Sequence, residues 1–259
     1  MQEKRALVTG GGKRLGRAMA LYLADHGFDV AVHYNHSDAA ARDTADEIRA
    51  KGRVAATLAA DLLDEASVAT LVDRAAEALG GRLTLLVNNA SIFEYDDMDS
   101  MSRDSWDRAI ESNLRAPMLL TQTFAAQAPE PARDDRGEPV AQALVVNMID
   151  ERVRKLTPFF ISYTVAKMGL WAFTRTAAQA LAPKVRVNGI GPGPTLQGAK
   201  QSDEHFAKQR ANTILERGSN PEDITGALGY LLAARGVTGQ LLCTDGGQHL
   251  AWNTPDIDR

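Results

Sequence analysis

The sequence predicts an α/β fold: one domain over residues 1–259, built as a doubly wound parallel sheet of about seven strands with helices on both faces. Three observations predict it. Short apolar segments alternate with segments of helical spacing from Arg5 to Cys243, and no linker interrupts them. The first strand runs directly into a glycine-rich turn and a helix, as a β-α-β unit requires. Hydrophobic residues make up 44% of the chain, enough for a core covered on both faces.

The elements follow in order. Arg5 to Thr9 (R-A-L-V-T) is an apolar strand without turn residues, and Gly10-Gly11-Gly12-Lys13-Arg14-Leu15-Gly16 comes next. Glycines let the backbone take positive φ and approach a pyrophosphate closely. Arg17 to His26 has helical spacing, with Ala18, Leu21, Tyr22 and Ala24 available for a buried face. The start of that helix offers free N–H groups and partial positive charge to phosphates. The second strand, Phe28 to Tyr34, leads into Asn35, His36 and Ser37, and Asp38 opens the next helix. Asp61 and Leu62 end the third strand, where an aspartate can cap the following helix. Leu83 to Val87 forms the fourth strand and runs into Asn88-Asn89-Ala90-Ser91 and then Phe93.

Pro129 to Pro139 is a polar, proline-bounded stretch that predicts an exposed loop before the fifth strand. Asp150 follows that strand. After Pro158 comes a long apolar helix carrying Tyr163 and Lys167, with Leu170, Trp171 and Phe173 beyond them. A tyrosine and a lysine at i and i+4 share a helix face. The ammonium is then expected to lower the phenol's pKa from ~10, readying it for proton transfer near neutral pH.

Together these segments resemble the short-chain dehydrogenase/reductase family over nearly the whole chain. The glycine pattern falls on Thr9 to Gly16, N-N-A-S on Asn88 to Ser91, and Y-x-x-x-K on Tyr163 and Lys167. R-V-N-G-I-G-P-G, from Arg186 to Gly193, and T-D-G-G, from Thr244 to Gly247, agree as well. The resemblance implies a Rossmann fold and a catalytic group of Tyr163, Lys167 and a proton-relay Asn113. It also implies cofactor contacts from Gly10, Gly16, Leu15, Asp61, Leu62, Asn89, Ala90, Ser91, Tyr163, Lys167, Pro192, Gly193 and Thr195. A substrate lid within 196–217 and a homotetramer built through the long helix are implied too.

Two departures narrow the resemblance. Arg14 replaces the middle glycine of the loop, and Asp150 stands where the family's serine is usual. Both, with H-Y-N-H-S at His33 to Ser37, are similar to the pteridine reductases and the related dihydromonapterin or dihydrofolate reductases. Phe93 then falls where an aromatic ring sandwiches the pterin, and Ser91 falls near cofactor or substrate. An ionised aspartate only accepts hydrogen bonds, so Asp150 suits a pterin's ring N–H groups better than a ketone. That reading implies hydride transfer to a ring C=N, with the proton from Tyr163 and with Asp150 either hydrogen-bonded to it or relaying a proton. The other readings are a reductase of 3-oxoacyl thioesters and a non-catalytic NADPH-binding sensor. Ser162 sits about 100° around the helix from Tyr163 and is a poor substitute for the missing serine.

Cofactor choice is argued from charge. An acid after the second strand selects NAD, and His33, Tyr34, Asn35, His36 and Ser37 provide none. Lys13 and Arg14 add cations and Ser37 a hydroxyl, which favours the 2′-phosphate of NADPH.

The net charge of −4 gives no reason to expect nucleic acid. No apolar run is long enough for a membrane span, and with the first strand beginning at Arg5 no signal peptide is expected. Cys243, the single cysteine, is expected in the core, and the histidines show no metal-ligand spacing. A reducing, cytoplasmic setting is expected. Trp252 in the tail from Gln248 to Arg259 is expected to be exposed.

Overall fold

A computed structural model of the chain describes residues 4–198 and 201–252. Its core is a sheet whose first strands are β1 (Arg5–Val8), β2 (Asp29–Tyr34), β3 (Ala55–Ala59) and β4 (Leu85–Asn88). Two short strands, β5 (Ala132–Arg133) and β6 (Pro139–Val140), stand apart as an antiparallel hairpin. The sheet resumes with β7 (Ala143–Met148), β8 (Val185–Pro192) and β9 (Leu241–Thr244). The order β3-β2-β1-β4-β7-β8-β9 gives seven strands, paired in parallel throughout. Strand order reverses between β1 and β4. Ligand crevices of open α/β sheets lie at that switch point, outside the carboxyl ends of the strands.

Side-chain alternation sends each strand into two cores. On one face Ala6 and Val8 of β1 pack with α1 (Arg14–Asp25), α2 (Asp38–Ala50) and α8 (Pro221–Ala233). On the other, Leu7 packs with α3 (Glu65–Ala78), α5 (Ala116–Gln127) and α6 (Ile161–Leu181). Phe124 of α5 is fully buried there; cutting it to alanine would cost ~3–5 kcal/mol. The remaining helices are α4 (Arg103–Ile110), which a π-helical turn at Glu111–Arg115 joins to α5, and α7 (Asp203–Ala211).

The structure revises four details. α1 begins at Arg14, and its buried face is Met19, Ala20, Leu23 and Ala24, with Leu21 and Tyr22 only half-buried. The fourth strand starts at Leu85, and Thr84 just before it donates both its amide and its hydroxyl to the Arg5 carbonyl. The stretch from Pro129 to Pro139 is not a plain loop. Asp134 takes the amides of Arg136 and Glu138 on its side chain and closes the β5–β6 hairpin. Cys243 lies on edge strand β9 and is only partly covered, against Ile149, Leu170 and Leu241. Burial pushes its thiol up to about 11, so it carries little thiolate.

Candidate active site

The glycine loop after β1 is shaped by close contacts. A Cβ at Gly16 would meet the Gly10 carbonyl oxygen at 2.1 Å, and Gly10 itself has φ +62. Asn89 fastens the loop from the next strand: its amide Nδ2 donates to the Thr9 carbonyl at 2.8 Å. The amides of Asn89 and Ala90 donate to the Thr9 hydroxyl. His33 fastens it from below. Its ring is 1% exposed, accepts the Gly10 amide on Nδ1 at 3.1 Å and donates from Nε2 to the Ala60 carbonyl. Burial lowers its pKa to about 4, so the ring is neutral and this tautomer is fixed. His33 therefore reaches the crevice through the loop rather than by its own side chain.

At the start of α1, Lys13 gives no side-chain cap and the first turn holds no acid. Its amides are thus free for an anion. Arg14 takes φ 52, the left-handed region that glycine usually occupies. Its guanidinium crosses the crevice and donates to the carbonyls of Gln197 (2.8 Å) and Leu196 (3.0 Å). Around the rim, Ser37 caps α2 without a side-chain bond, and Asn35 donates to Asp61 at 3.2 Å. Tyr34 bonds Asp38, which raises the phenol's pKa. His36 sits exposed beside them. Asp61 also takes the Leu63 amide, while the Leu62 side chain is buried in the core. On the far side Thr195 donates to the Gly193 carbonyl, next to Pro192 at the end of β8.

The chemical centre lies where β7 and α6 meet. Asp150 divides its oxygens: Oδ1 takes the Arg152 amide at 2.8 Å and caps a short 3-10 turn, while Oδ2 takes the Tyr163 hydroxyl at 2.8 Å. Capping and contact with the phenol are both satisfied by one carboxylate. Lys167 is 2% exposed, with Nζ donating to the Met148 carbonyl at 2.8 Å and lying 5.5 Å from the Tyr163 ring centre. The π-helical turn presents Asn113, fully buried, whose Nδ2 donates to the Ile92 carbonyl. Its Oδ1 accepts the Ser91 hydroxyl at 2.6 Å. Ser162 is also buried, but its hydroxyl has no partner among the described residues.

Here the expected pKa shift of Tyr163 reverses. Burial, then the charge and hydrogen bond of Asp150, hold the phenol well above its usual value. Burial also raises Asp150 and lowers Lys167 to about 8. Burial and the acid in direct contact outweigh the opposing Arg152 charge and Ser91 hydrogen bond. The site is therefore a protonated phenol donating to the carboxyl group of Asp150.

The chain matches a family model described as enoyl-(acyl carrier protein) reductase over residues 12–249. An oxidoreductase of Mycobacterium tuberculosis is 34% identical, covering 95% of this chain and 92% of its own. The chain belongs to the short-chain dehydrogenase/reductase family. The 3-oxoacyl-[acyl-carrier-protein] reductase FabG of Staphylococcus aureus is 29% identical over 95% of this chain and 98% of its own length. Among solved structures, FolM alternative dihydrofolate reductase 1 of Brucella suis, in complex with NADP, superposes with a TM-score of 0.90. It is 42% identical, covering 98% of both chains.

Beside Tyr163 the site opens onto an aromatic wall. Phe93 is 55% exposed, not buried beneath its loop; it stacks on Phe160 (4.3 Å, 6°) and meets Tyr163 edge-on (4.8 Å). Tyr95 meets Phe160 edge-on at 5.2 Å and Phe159 at 6.0 Å, and the Arg152 guanidinium lies over Phe160. Besides Tyr163, Phe93 is the one ring of this wall that the sequence marks; Tyr95, Phe159 and Phe160 carry no motif. The available signal was F-E-Y-D-D opposite P-F-F, two aromatic runs flanking the catalytic segments. The stretch expected to act as a lid includes α7, and Arg210 ties it down through the carbonyls of Pro194 and Gly218. Residues 199 and 200 of that stretch, and the tail past residue 252, lie outside the described residues. Trp252 is 56% exposed. Among the described residues no helix is long and apolar enough to cross a membrane, and no group of side chains is arranged for a metal.

Proposed function

We propose that this protein is an NADPH-dependent reductase that delivers hydride to a ring C=N bond of a pterin or dihydrofolate-like substrate. The observation that carries the reading is Asp150 bonded to the Tyr163 hydroxyl at 2.8 Å, where a ketone reductase of this family needs a donor. A carboxylate accepts and cannot polarise a ketone, but it matches the N–H edge of a pterin. The FolM relative supports the same reading by its name and its NADP.

The chain fits the cofactor. The uncapped start of α1 suits the pyrophosphate, Lys13 and Ser37 would meet the 2′-phosphate, and Arg14 reaches across to the Leu196 and Gln197 carbonyls, where its charge still favours the bound phosphates. Lys167, Asn89, Ala90, Pro192, Gly193 and Thr195 line the nicotinamide half. When bound, NADPH supplies the hydride. The chain's own residues do the rest. Tyr163 holds the proton to be delivered, and Asp150 orients the phenol and accepts a substrate N–H. Ser91 and Asn113 form a hydroxyl–amide pair that leads from the site toward the Ile92 carbonyl. Phe93 offers a flat face to the heteroaromatic ring.

The reading includes a homotetramer in the cytoplasm. Val165 and Met168 on α6, 43% and 39% exposed, support an assembly through that helix, and light scattering of the purified protein tests it.

The functional test follows NADPH absorbance with dihydrobiopterin, dihydromonapterin, dihydrofolate and an acetoacetyl thioester, for wild type and Asp150→Ser. Pterin turnover lost in the variant supports the reading. Turnover of the thioester alone, kept or improved by serine, would replace it with a 3-oxoacyl reductase of the kind the FabG relatives represent.

A further inference from the structure

The segment from Phe93 to Asp97 alternates rings and acids, and each kind has its own task. Phe93 and Tyr95 face outward, 55% and 56% exposed. Glu94 pairs with Arg108 of α4 at 3.0 Å. Asp97 folds back to take the amides of Asp99 and Ser100. Asp96 is different. It is 3% exposed and reaches a helix distant in sequence.

That helix is α6, which carries Tyr163 and Lys167. Its N-cap, Phe160, has no side-chain acceptor, and no acid lies in its first turn. The opening amides of a helix need partners, and Asp96 provides them from outside. Its Oδ1 accepts the Ser162 amide at 3.2 Å and its carbonyl accepts the Phe160 amide at 2.7 Å. Its Oδ2 takes the Ser105 hydroxyl of α4 at 3.4 Å. Phe160 is held at φ 58, a sparsely populated conformation for a bulky residue. Such strain persists where the surroundings over-determine it. Here it turns the Phe160 ring parallel to Phe93.

We propose that Asp96 is a positioning residue: it caps the catalytic helix from the Phe93 loop and so fixes Phe93, Phe160 and Tyr163 relative to one another. The proposal rests on the reading above, in which Phe93 and Tyr163 face the substrate. Asp96 itself touches neither substrate nor cofactor. It acts through the Ser162 and Phe160 amides, one and three residues before the catalytic phenol.

The test compares Asp96→Ala with Asp96→Asn, which keeps an Oδ1 acceptor for the Ser162 amide. The alanine variant is expected to lower pterin kcat/KM by about tenfold to a hundredfold, chiefly in kcat, as small displacements near a reacting centre do. NADPH affinity by fluorescence should stay within about twofold, a change of less than ~0.5 kcal/mol. Asparagine should recover most of the loss. Hydrogen exchange of the peptide spanning 157–165 should speed up in the alanine variant and stay slow in the asparagine one. A folded alanine variant with unchanged kcat/KM overturns the proposal, and so does an asparagine variant no better than alanine. If wild type reduces no pterin, the functional reading fails separately. Exchange then decides alone: unchanged protection in the alanine variant refutes the cap, and loss restored by asparagine upholds it.

Discussion

The Tyr163 hydroxyl donates to Asp150 Oδ2 across 2.8 Å, joining the first turn of α6 to the end of β7. The bond keeps the phenol protonated and aimed, and it leaves Asp150 one oxygen committed to the Arg152 amide. Tyr163→Phe should lower kcat by roughly 10²- to 10⁴-fold, the range for loss of a positioned acid. It should leave NADPH binding nearly intact. It also strips Asp150 of a donor, for a loss of about 1–3 kcal/mol in urea unfolding. A variant with wild-type kcat would remove Tyr163 from the chemistry.

Beside this pair sits an acid that takes no part in it. Glu151 is 7% exposed, and its Oε2 has no hydrogen-bond partner among the described residues. Burial, then the nearby charges of Asp150 and Asp245, raise its pKa to about 7 from 4.5. Between those values the folded protein keeps a proton that the unfolded chain has released. Stability from this group is full below about 4.5 and is lost as pH rises through about 7. The loss is of the order of 3 kcal/mol. Glu151→Gln should therefore unfold at higher urea than wild type at pH ~8 and show little gain at pH ~4.5. His33 contributes in the opposite sense, since its lowered pKa makes the fold gain stability as pH rises from about 4 to 6.5. The comparison must be made against Glu151→Gln at each pH. Equal midpoints for the two proteins at both ends would discount the buried charge.

Much of this was legible in the chain because it depends on local pattern. Strand–glycine–helix spacing marks the loop at Gly10 to Gly16, and i, i+4 spacing sets Tyr163 and Lys167 on one helix face. The rest depends on which atoms meet in three dimensions. His33 sits in the motif like a cofactor ligand, yet strand pleating turns its ring inward to hold Gly10. The Tyr163–Lys167 spacing suggests an acidified phenol. Burial and Asp150 reverse that, and neither is visible in a Y-x-x-x-K count. Asp96 reads as one acid in an acidic loop until α6 is found lacking its own cap.

Arg14 explains its own exception to the glycine pattern. Its φ of 52 is the conformation for which glycine is usual, and the guanidinium reaches the Leu196 and Gln197 carbonyls. Arg14→Gly keeps the backbone comfortable and removes those ties and the charge. Thermal stability should hardly change, since glycine tolerates positive φ. NADPH affinity should fall by about tenfold, the value of one charge-assisted bond. Exchange of the 195–198 amides should rise. Unaltered affinity together with unaltered exchange would show that Arg14 is a solvated charge at a helix start.

Phe93 offers the sharpest separation between the two substrate classes. Its ring is held by Phe160 at 4.3 Å and leans edge-on against Tyr163, so it borders the reacting phenol while staying open to solvent. A flat pterin gains area and offset stacking there, ~0.5–1.5 kcal/mol beyond burial. Phe93→Ala should thus raise KM for pterins by about tenfold, with kcat less affected. A flexible acyl thioester gains nothing from a parallel ring, so its turnover should be insensitive to the change. Steady-state kinetics on both substrates decide the matter. Equal loss for both would mean that Phe93 merely supports Phe160 and the start of α6. In that case the aromatic wall belongs to the frame of the site, and substrate choice rests on Asp150 alone.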